Sequence, residues 1–217
     1  MPSDNAIVHV IDDDEAVRQS LAFLLGTAGL EVRTYDSAAA FLDALPNIAA
    51  GCVITDVRMP VVGGLELLRR LRKLKLAVPV IVITGHGDVP LAVEAMKMGA
   101  ADFLEKPFDD EALLASVRSA LNALDRDRKR EVERSEIESR LSGLSSRERE
   151  VLEGLVAGQA NKQIAHALGI SPRTIEIYRA NLMTKMQAAS LSDLVRMAMI
   201  AGVIGPAAES ESGVSPG

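Results

Sequence analysis

Short apolar runs punctuate the first half of the chain, and a polar residue closes each of them. Ile7-Val8-His9-Val10-Ile11 ends at Asp12, Cys52-Val53-Ile54-Thr55 at Asp56, and Val80-Ile81-Val82-Ile83 at Thr84. Runs this short and this continuously apolar suit strands buried on both faces. Longer segments with helical spacing lie between them. The pattern predicts strands over 7–11, 31–35, 52–55, 80–84 and 101–104, and helices over 15–28, 37–45, 64–75, 88–98 and 109–124. Alternating units of this kind imply an α/β fold, a parallel sheet with helices on both faces. Right-handed crossovers prune the topologies, and the flavodoxin-like (βα)5 order 2-1-3-4-5 fits best.

The pattern changes after residue 124. Residues 125–142 are densely charged, with few apolar positions. Extending the register of Val117, Leu121 and Leu124 places Arg128, Glu131, Ser135 and Glu138 in the seam, which rules out a coiled coil. A solvated helical linker is expected, helped by the pairs Asp125–Lys129 and Glu136–Arg140.

A small all-α domain is expected over 143–205, with helices near 146–157, 161–168, 172–186 and 191–201. Ser145-x-x-Glu148 fits a capping box. Leu168-Gly169-Ile170-Ser171-Pro172 reads as a helix-turn-helix joint. Its Gly169 can leave one helix left-handed, Ser171 can cap the next, and Pro172 can occupy the first turn without losing a needed donor. The expected organisation is therefore 1–124, a linker over 125–142, a helix-turn-helix domain over 143–205, and a disordered tail over 206–217.

Composition narrows the function. The chain has no Trp and few other aromatics, so its cores are aliphatic. The single Cys52 lies within an apolar run and reads as a buried hydrophobe. Pro2-Ser3-Asp4-Asn5 lacks the features of a signal peptide, and no apolar run approaches the roughly 20 residues of a membrane span, so a soluble cytoplasmic protein is expected. Net charge is −6, which excludes a globally basic nucleic-acid binder. Residues 1–124 carry 17 acids against 11 bases, whereas residues 143–205 carry 5 against 7, so any DNA contact must be local. His9, His86 and His166 are scattered and form no zinc-spaced set.

In the order 2-1-3-4-5 the first and third strands are neighbours, so Asp12, Asp13 and Asp56 converge at the carboxyl edge of the sheet with Thr84 and Lys106. Open α/β sheets place their chemistry at that edge. Three carboxylates repel one another, and a divalent cation with a lysine would hold them ionised. The arrangement predicts that Asp56 accepts a phosphoryl group as a nucleophile. Mg²⁺ is the expected cofactor, held by Asp13 and Asp56, with Asp12 through water. Lys106 supplies a point charge, and the Thr84 hydroxyl can donate to the phosphoryl oxygens. Such a modification adds about −1.5 to −2 charges, enough to bias a bistable loop and helix. A phosphatase using an Asp-x-Asp-x-Thr/Val motif is excluded by Asp12-Asp13-Asp14-Glu15-Ala16, and no Gly-rich phosphate loop is present, so no enzymatic activity is expected.

Stepping 100° per residue from Ile175 puts Tyr178, Leu182 and Met186 on one face of the 172–186 helix. Arg173, Ile177, Ala180 and Thr184 lie opposite, flanked by Glu176 and Asn181, a face that suits the major groove. Glu176 can accept from a cytosine amino group, while Ile177 and Ala180 can touch a thymine methyl. Arg173, Arg179, Lys185 and Lys162 suit phosphates, with Thr174 at the start of the same helix. For Arg179 a local structural pairing is an equal alternative.

Residues 6–122 resemble the receiver domain of two-component response regulators. The resemblance is carried by Asp12-Asp13, Asp56-Val57-Arg58-Met59-Pro60, Gly63-Gly64, Thr84 and Lys106-Pro107. Residues 144–199 resemble the LuxR-type helix-turn-helix, through Leu144-Ser145-Ser146-Arg147-Glu148, Ser171-Pro172-Arg173-Thr174-Ile175-Glu176 and Arg179-Ala180-Asn181. Together they resemble the FixJ branch of the NarL/FixJ regulators. The resemblance implies that the Arg58 carbonyl is a further metal ligand and that Phe103 is the family's rotating aromatic, unless it is only core. It also implies a dimer surface on the last helix, with Leu194, Val195 and Ala198, unless those residues are plain core. A phosphorylation-dependent homodimer is expected to use the receiver face around Val89, Val93 and Lys97. The implied partners are a FixL-like sensor histidine kinase, promoter DNA and RNA polymerase, and the implied targets are nitrogen-fixation or microaerobic genes.

Overall fold

The computed structural model of the chain describes residues 6–85 and 89–203. The expected tail 206–217, His86 and the side chain of Val89 lie outside the described residues. The chain divides into two compact units, 1–128 and 129–217.

The first unit holds β1 (Ile7–Ile11), α1 (Glu15–Thr27), β2 (Glu31–Tyr35), α2 (Ala38–Ala44), β3 (Gly51–Asp56), α3 (Gly64–Lys73), β4 (Val80–Thr84), α4 (Val89–Lys97), β5 (Asp102–Glu105) and the start of α5 (Asp110–Ser142). All five strands are parallel, in the order β2-β1-β3-β4-β5. β1, β3 and β4 are buried on both faces, which is why their runs are apolar at every position. Alternate residues serve opposite cores. Val8, Val10, Cys52, Ile54, Ile81 and Ile83 face α1 and α5, whereas Ile11, Val53, Val80 and Val82 face α2, α3 and α4. Edge strand β2 carries the charged Glu31 and Arg33, which protects its open side from further pairing.

His9 is fully buried in β1, with Nε2 3.2 Å from the Ala49 carbonyl and the Tyr35 hydroxyl 3.4 Å from Nδ1. Burial, reinforced by Arg33 and opposed by the Ala49 bond, lowers its pKa. Cys52 is buried as expected, and its thiol is pushed up to about 12 by desolvation, so it is inert.

The second unit is helical, with α6 (Ser146–Val156), α7 (Asn161–Leu168), α8 (Pro172–Met186) and α9 (Leu191–Ile200). The capping box forms: Ser145 Oγ accepts from Glu148 N, and Glu148 Oε2 accepts from Ser145 N. Gly169 ends α7 at φ +65°, and Ser171 Oγ accepts from Thr174 N at the start of α8.

The stretch 125–142 is not a uniformly solvated linker. It is helical, but Ile137 and Leu141 are buried with Leu144 in the core of the second unit. Arg149 donates to the Leu141 carbonyl at 2.9 Å, and Arg140 donates to that of Met186 at 3.3 Å. Helix α5 thus contributes Val117 and Leu121 to one core and Ile137 and Leu141 to another.

Candidate functional site

Parallel register brings the carboxyl ends of β1, β3 and β4 side by side, with Ile11 opposite Thr55 and Asp56 opposite Ile83. The side chains that follow meet at one lysine. Lys106 Nζ donates to Asp56 Oδ1 at 2.8 Å and lies 3.3 Å from Asp12 Oδ2. Asp12 is buried and Asp56 half-buried, whereas Lys106 remains partly open to solvent. Burial works against the Lys106 charge. The hydrogen bond and field of Asp56, then those of Asp12, outweigh it and raise the lysine pKa. Lys106 is therefore a fixed cation across the neutral range.

Local structure holds each group. Asp12 Oδ1 accepts from Asp14 N at 2.9 Å, and its carbonyl accepts from Arg18 Nη1 at 2.6 Å. Asp14 caps α1 through Ala16 N. Asp56 Oδ2 accepts from Arg58 N at 2.7 Å. Lys106 N donates to the Thr84 carbonyl at 2.7 Å, and Thr84 is buried. Gly64 makes the loop possible: a Cβ there would lie 2.3 Å from the Asp56 carbonyl.

Asp12, Asp56 and Lys106 are joined directly, and Thr84 is tied to Lys106 through the backbone. Asp13 is exposed after β1 and takes no part in the Lys106 bonds. Phe103 is half-buried and packs against the core that contains Ala95 and Ala100. Among the described residues no three His, Cys, Asp or Glu side chains close into a metal cage. The donor set nonetheless fits magnesium, which takes one or two carboxylates and retains several waters. Asp12 and Asp56 with the exposed Asp13 form such an open, oxygen-only set.

In the second unit α8 presents the expected faces. Ile175, Leu182 and Met186 are buried and Tyr178 is half-buried. Arg173, Glu176, Ile177, Ala180, Asn181 and Thr184 are exposed, as is Lys162 on α7. Ile177 is a large apolar residue left to solvent on this face, and Arg179 is half-buried. Lys185 departs from the expectation of a phosphate contact. Its Nζ lies 2.7 Å from Glu148 Oε2 and 3.5 Å from the Gly143 carbonyl, so it braces α8 against the start of α6. Thr174 likewise shares its hydroxyl with Ser171 Oγ at 2.8 Å.

On α9 the expected surface splits. Leu194 and Ala198 are fully buried in the core and cannot face outward, while Val195 is half-buried and Leu191 and Met199 are exposed. On α4, Val93 and Lys97 are exposed. Spacing had not pointed to Arg18 or to the Glu148–Lys185 pair, whose partners are remote along the chain or are backbone atoms.

The family model of the response regulator receiver domain matches residues 8–118, and that of the luxR family of bacterial regulatory proteins matches residues 142–198. The chain belongs to the two-component response regulators that join a receiver to a LuxR-type DNA-binding domain. It is 64% identical over 196 residues to the transcriptional regulatory protein FixJ of Azorhizobium caulinodans, covering 90% of this chain and 93% of that protein. Full-length FixJ from B. japonicum, solved by crystallography, is 56% identical, with 92% of this chain and 98% of that chain covered and a TM-score of 0.59. The response regulator StyR is 39% identical over 90% of this chain and 98% of its own, with a TM-score of 0.78. Among the described residues no helix is long and apolar enough to cross a membrane.

Proposed function

We propose that this protein is a cytoplasmic transcriptional activator switched by phosphorylation of Asp56. The observation that carries the reading is Lys106 Nζ shared between Asp56 Oδ1 and Asp12 Oδ2, a cation already placed where phosphoryl oxygens would arrive. One Asp56 oxygen attacks phosphorus while Lys106 offsets charge on the transferring group. Asp12, Asp13, Asp56 and the Arg58 carbonyl would hold Mg²⁺, which supplies further charge neutralisation when bound. Thr84, at the end of β4, donates its hydroxyl to the new phosphoryl group, and the adjustment passes to Phe103 and α4.

The second unit has few bases, so one copy makes few phosphate contacts. Two copies on a dyad site make the second contact effectively intramolecular. Phosphorylation therefore acts by dimerisation, through the receiver face that includes Val93 and Lys97. DNA is read by Glu176, Ile177, Ala180 and Asn181 and clamped by Arg173 and Lys162. Similarity to FixJ over most of the chain favours a FixL-like histidine kinase as donor, RNA polymerase as the recruited machine, and nitrogen-fixation or microaerobic genes as targets. Similarity to StyR favours a second reading in which the same architecture answers another stimulus.

The test is acetyl phosphate treatment with Mg²⁺, followed by mass spectrometry and analytical ultracentrifugation. The wild type is expected to carry its label on Asp56 and to dimerise, and Asp56→Asn to do neither. A label on another residue, or dimers formed equally by Asp56→Asn, would reject the reading.

A further inference from the structure

Val61, in the loop from β3 to α3, is 100% exposed and has a φ of +66°. A β-branched residue in that region is a steric outlier, one that glycine or asparagine would tolerate better. Val62 N donates to the Pro60 carbonyl at 2.7 Å, which closes a tight three-residue turn with Val61 at its apex. Both flanks are anchored. Arg58 N is bound to Asp56 Oδ2, Gly64 N donates to the Val57 carbonyl at 3.0 Å, and Val57, Met59 and Val62 are buried. The loop turns three apolar side chains inward and holds a fourth outward in a strained conformation. Strain of this kind persists where the surroundings over-determine it, and it concentrates at functional loops.

We propose that Val61 is an apolar anchor for the protein that delivers the phosphoryl group to Asp56. The inference rests on Asp56 being the acceptor. Val61 follows Asp56 by five residues on the segment that leaves the site. A histidine kinase must bring a phosphoimidazole nitrogen in line with Asp56, and its surface then covers this loop; a small phosphodonor need not touch it. In the transfer the P–N bond of phosphohistidine breaks as the P–O bond to Asp56 forms, and the released imidazole nitrogen takes a proton from solvent. Burial of one exposed valine on the donor protein would supply affinity that the chemical step itself does not require.

The experiment compares two donors on the full chain, phosphoramidate and an autophosphorylated FixL-like kinase domain. Phosphoramidate carries the same P–N bond without a protein surface. Val61→Asn and Val61→Gly both accept the left-handed backbone and remove the apolar contact, so folding is preserved. The expected result is unchanged labelling by phosphoramidate, unchanged dimerisation after it, and transfer from the kinase slowed about tenfold in kcat/KM, as for loss of an anchor worth ~1.4 kcal/mol. Equal kinase rates for variant and wild type would overturn the proposal. So would equal slowing with both donors, which would make Val61 part of the site's own shape. Normal labelling with lost dimerisation would assign the residue to a second copy of the chain and overturn it too. Failure of the wild type to be labelled at Asp56 by phosphoramidate would strike the phosphoacceptor reading instead.

Discussion

Lys185 Nζ and Glu148 Oε2 stand 2.7 Å apart, linking the last turn of α8 to the first turn of α6. The same carboxylate accepts from Ser145 N, so one group both completes a helix cap and fixes the reading helix. The Lys185 hydrogen bond, followed by the Ser145 backbone bond, lowers the Glu148 pKa below its ordinary value. A lowered carboxylate pKa stabilises the fold at all pH above the unfolded value, and that contribution is lost as pH falls through the folded one. Thermal unfolding of the second unit is therefore expected to be insensitive to this group above pH 4.5 and to weaken below it. Glu148→Gln keeps an acceptor for Ser145 but should remove that part of the acid sensitivity. An identical acid profile for the variant would reject the assignment. Lys185→Gln should leave the salt dependence of promoter binding nearly unchanged, whereas Arg173→Gln should reduce its slope by about one.

Lys106 opposes two carboxylates at once. Lys106→Ala leaves Asp12 and Asp56 facing each other, and the expected loss is about 1–2 kcal/mol, held down because the lysine is partly solvated. Asp56→Asn removes the repulsion, so the double variant should recover much of that loss. Urea denaturation of the four proteins measures the coupling. Strict additivity would show that the three groups do not interact.

The sheet was legible in the sequence because β1, β3 and β4 are buried on both faces and so read as unbroken apolar runs. The Asp12–Asp56–Lys106 cluster followed, since a parallel sheet places successive strand ends at one edge. The boundary near 137 was not legible. Ile137 and Leu141 restart an apolar stripe out of register with Val117 and Leu121, and a few apolar residues among charges look like solvated helix. Nor could periodicity reveal which of Leu191, Leu194, Val195, Ala198 and Met199 face solvent, because apolar positions cover more than one side of α9. Val61 gave no signal at all: valine is among the last residues expected at positive φ.

The split on α9 separates stability from assembly. Leu194 is fully buried, and Leu194→Ala is expected to cost about 2–5 kcal/mol through the cavity it leaves. Met199 is 63% exposed, and Met199→Ser should change stability by about 0.5 kcal/mol or less. If the outer side of α9 joins two DNA-binding domains, Met199→Ser with Val195→Asp should still weaken binding to a dyad promoter. Calorimetry and gel shift on the same samples separate the two effects. Undiminished promoter affinity in the double variant would remove α9 from the dimer.

Ser116 in α5 is 6% exposed, and its hydroxyl has no hydrogen-bond partner. Leaving a hydroxyl buried without a partner costs about 1–3 kcal/mol, whereas alanine at the same place leaves nothing to desolvate. Alanine is also the better helix former, by a few tenths of a kcal/mol. Val117, Ala120 and Leu121 already fill the surrounding core, so the smaller side chain opens little space. Ser116→Ala should therefore stabilise the receiver by about 1–2 kcal/mol, read as an increase in Tm of about 2–4 °C for each kcal/mol. Ser116→Val removes the same unsatisfied group but adds volume to a packed interface, and it should lose part or all of the gain. A destabilised Ser116→Ala protein would mean that the hydroxyl is satisfied in solution, and the predicted order of the two variants would then fail.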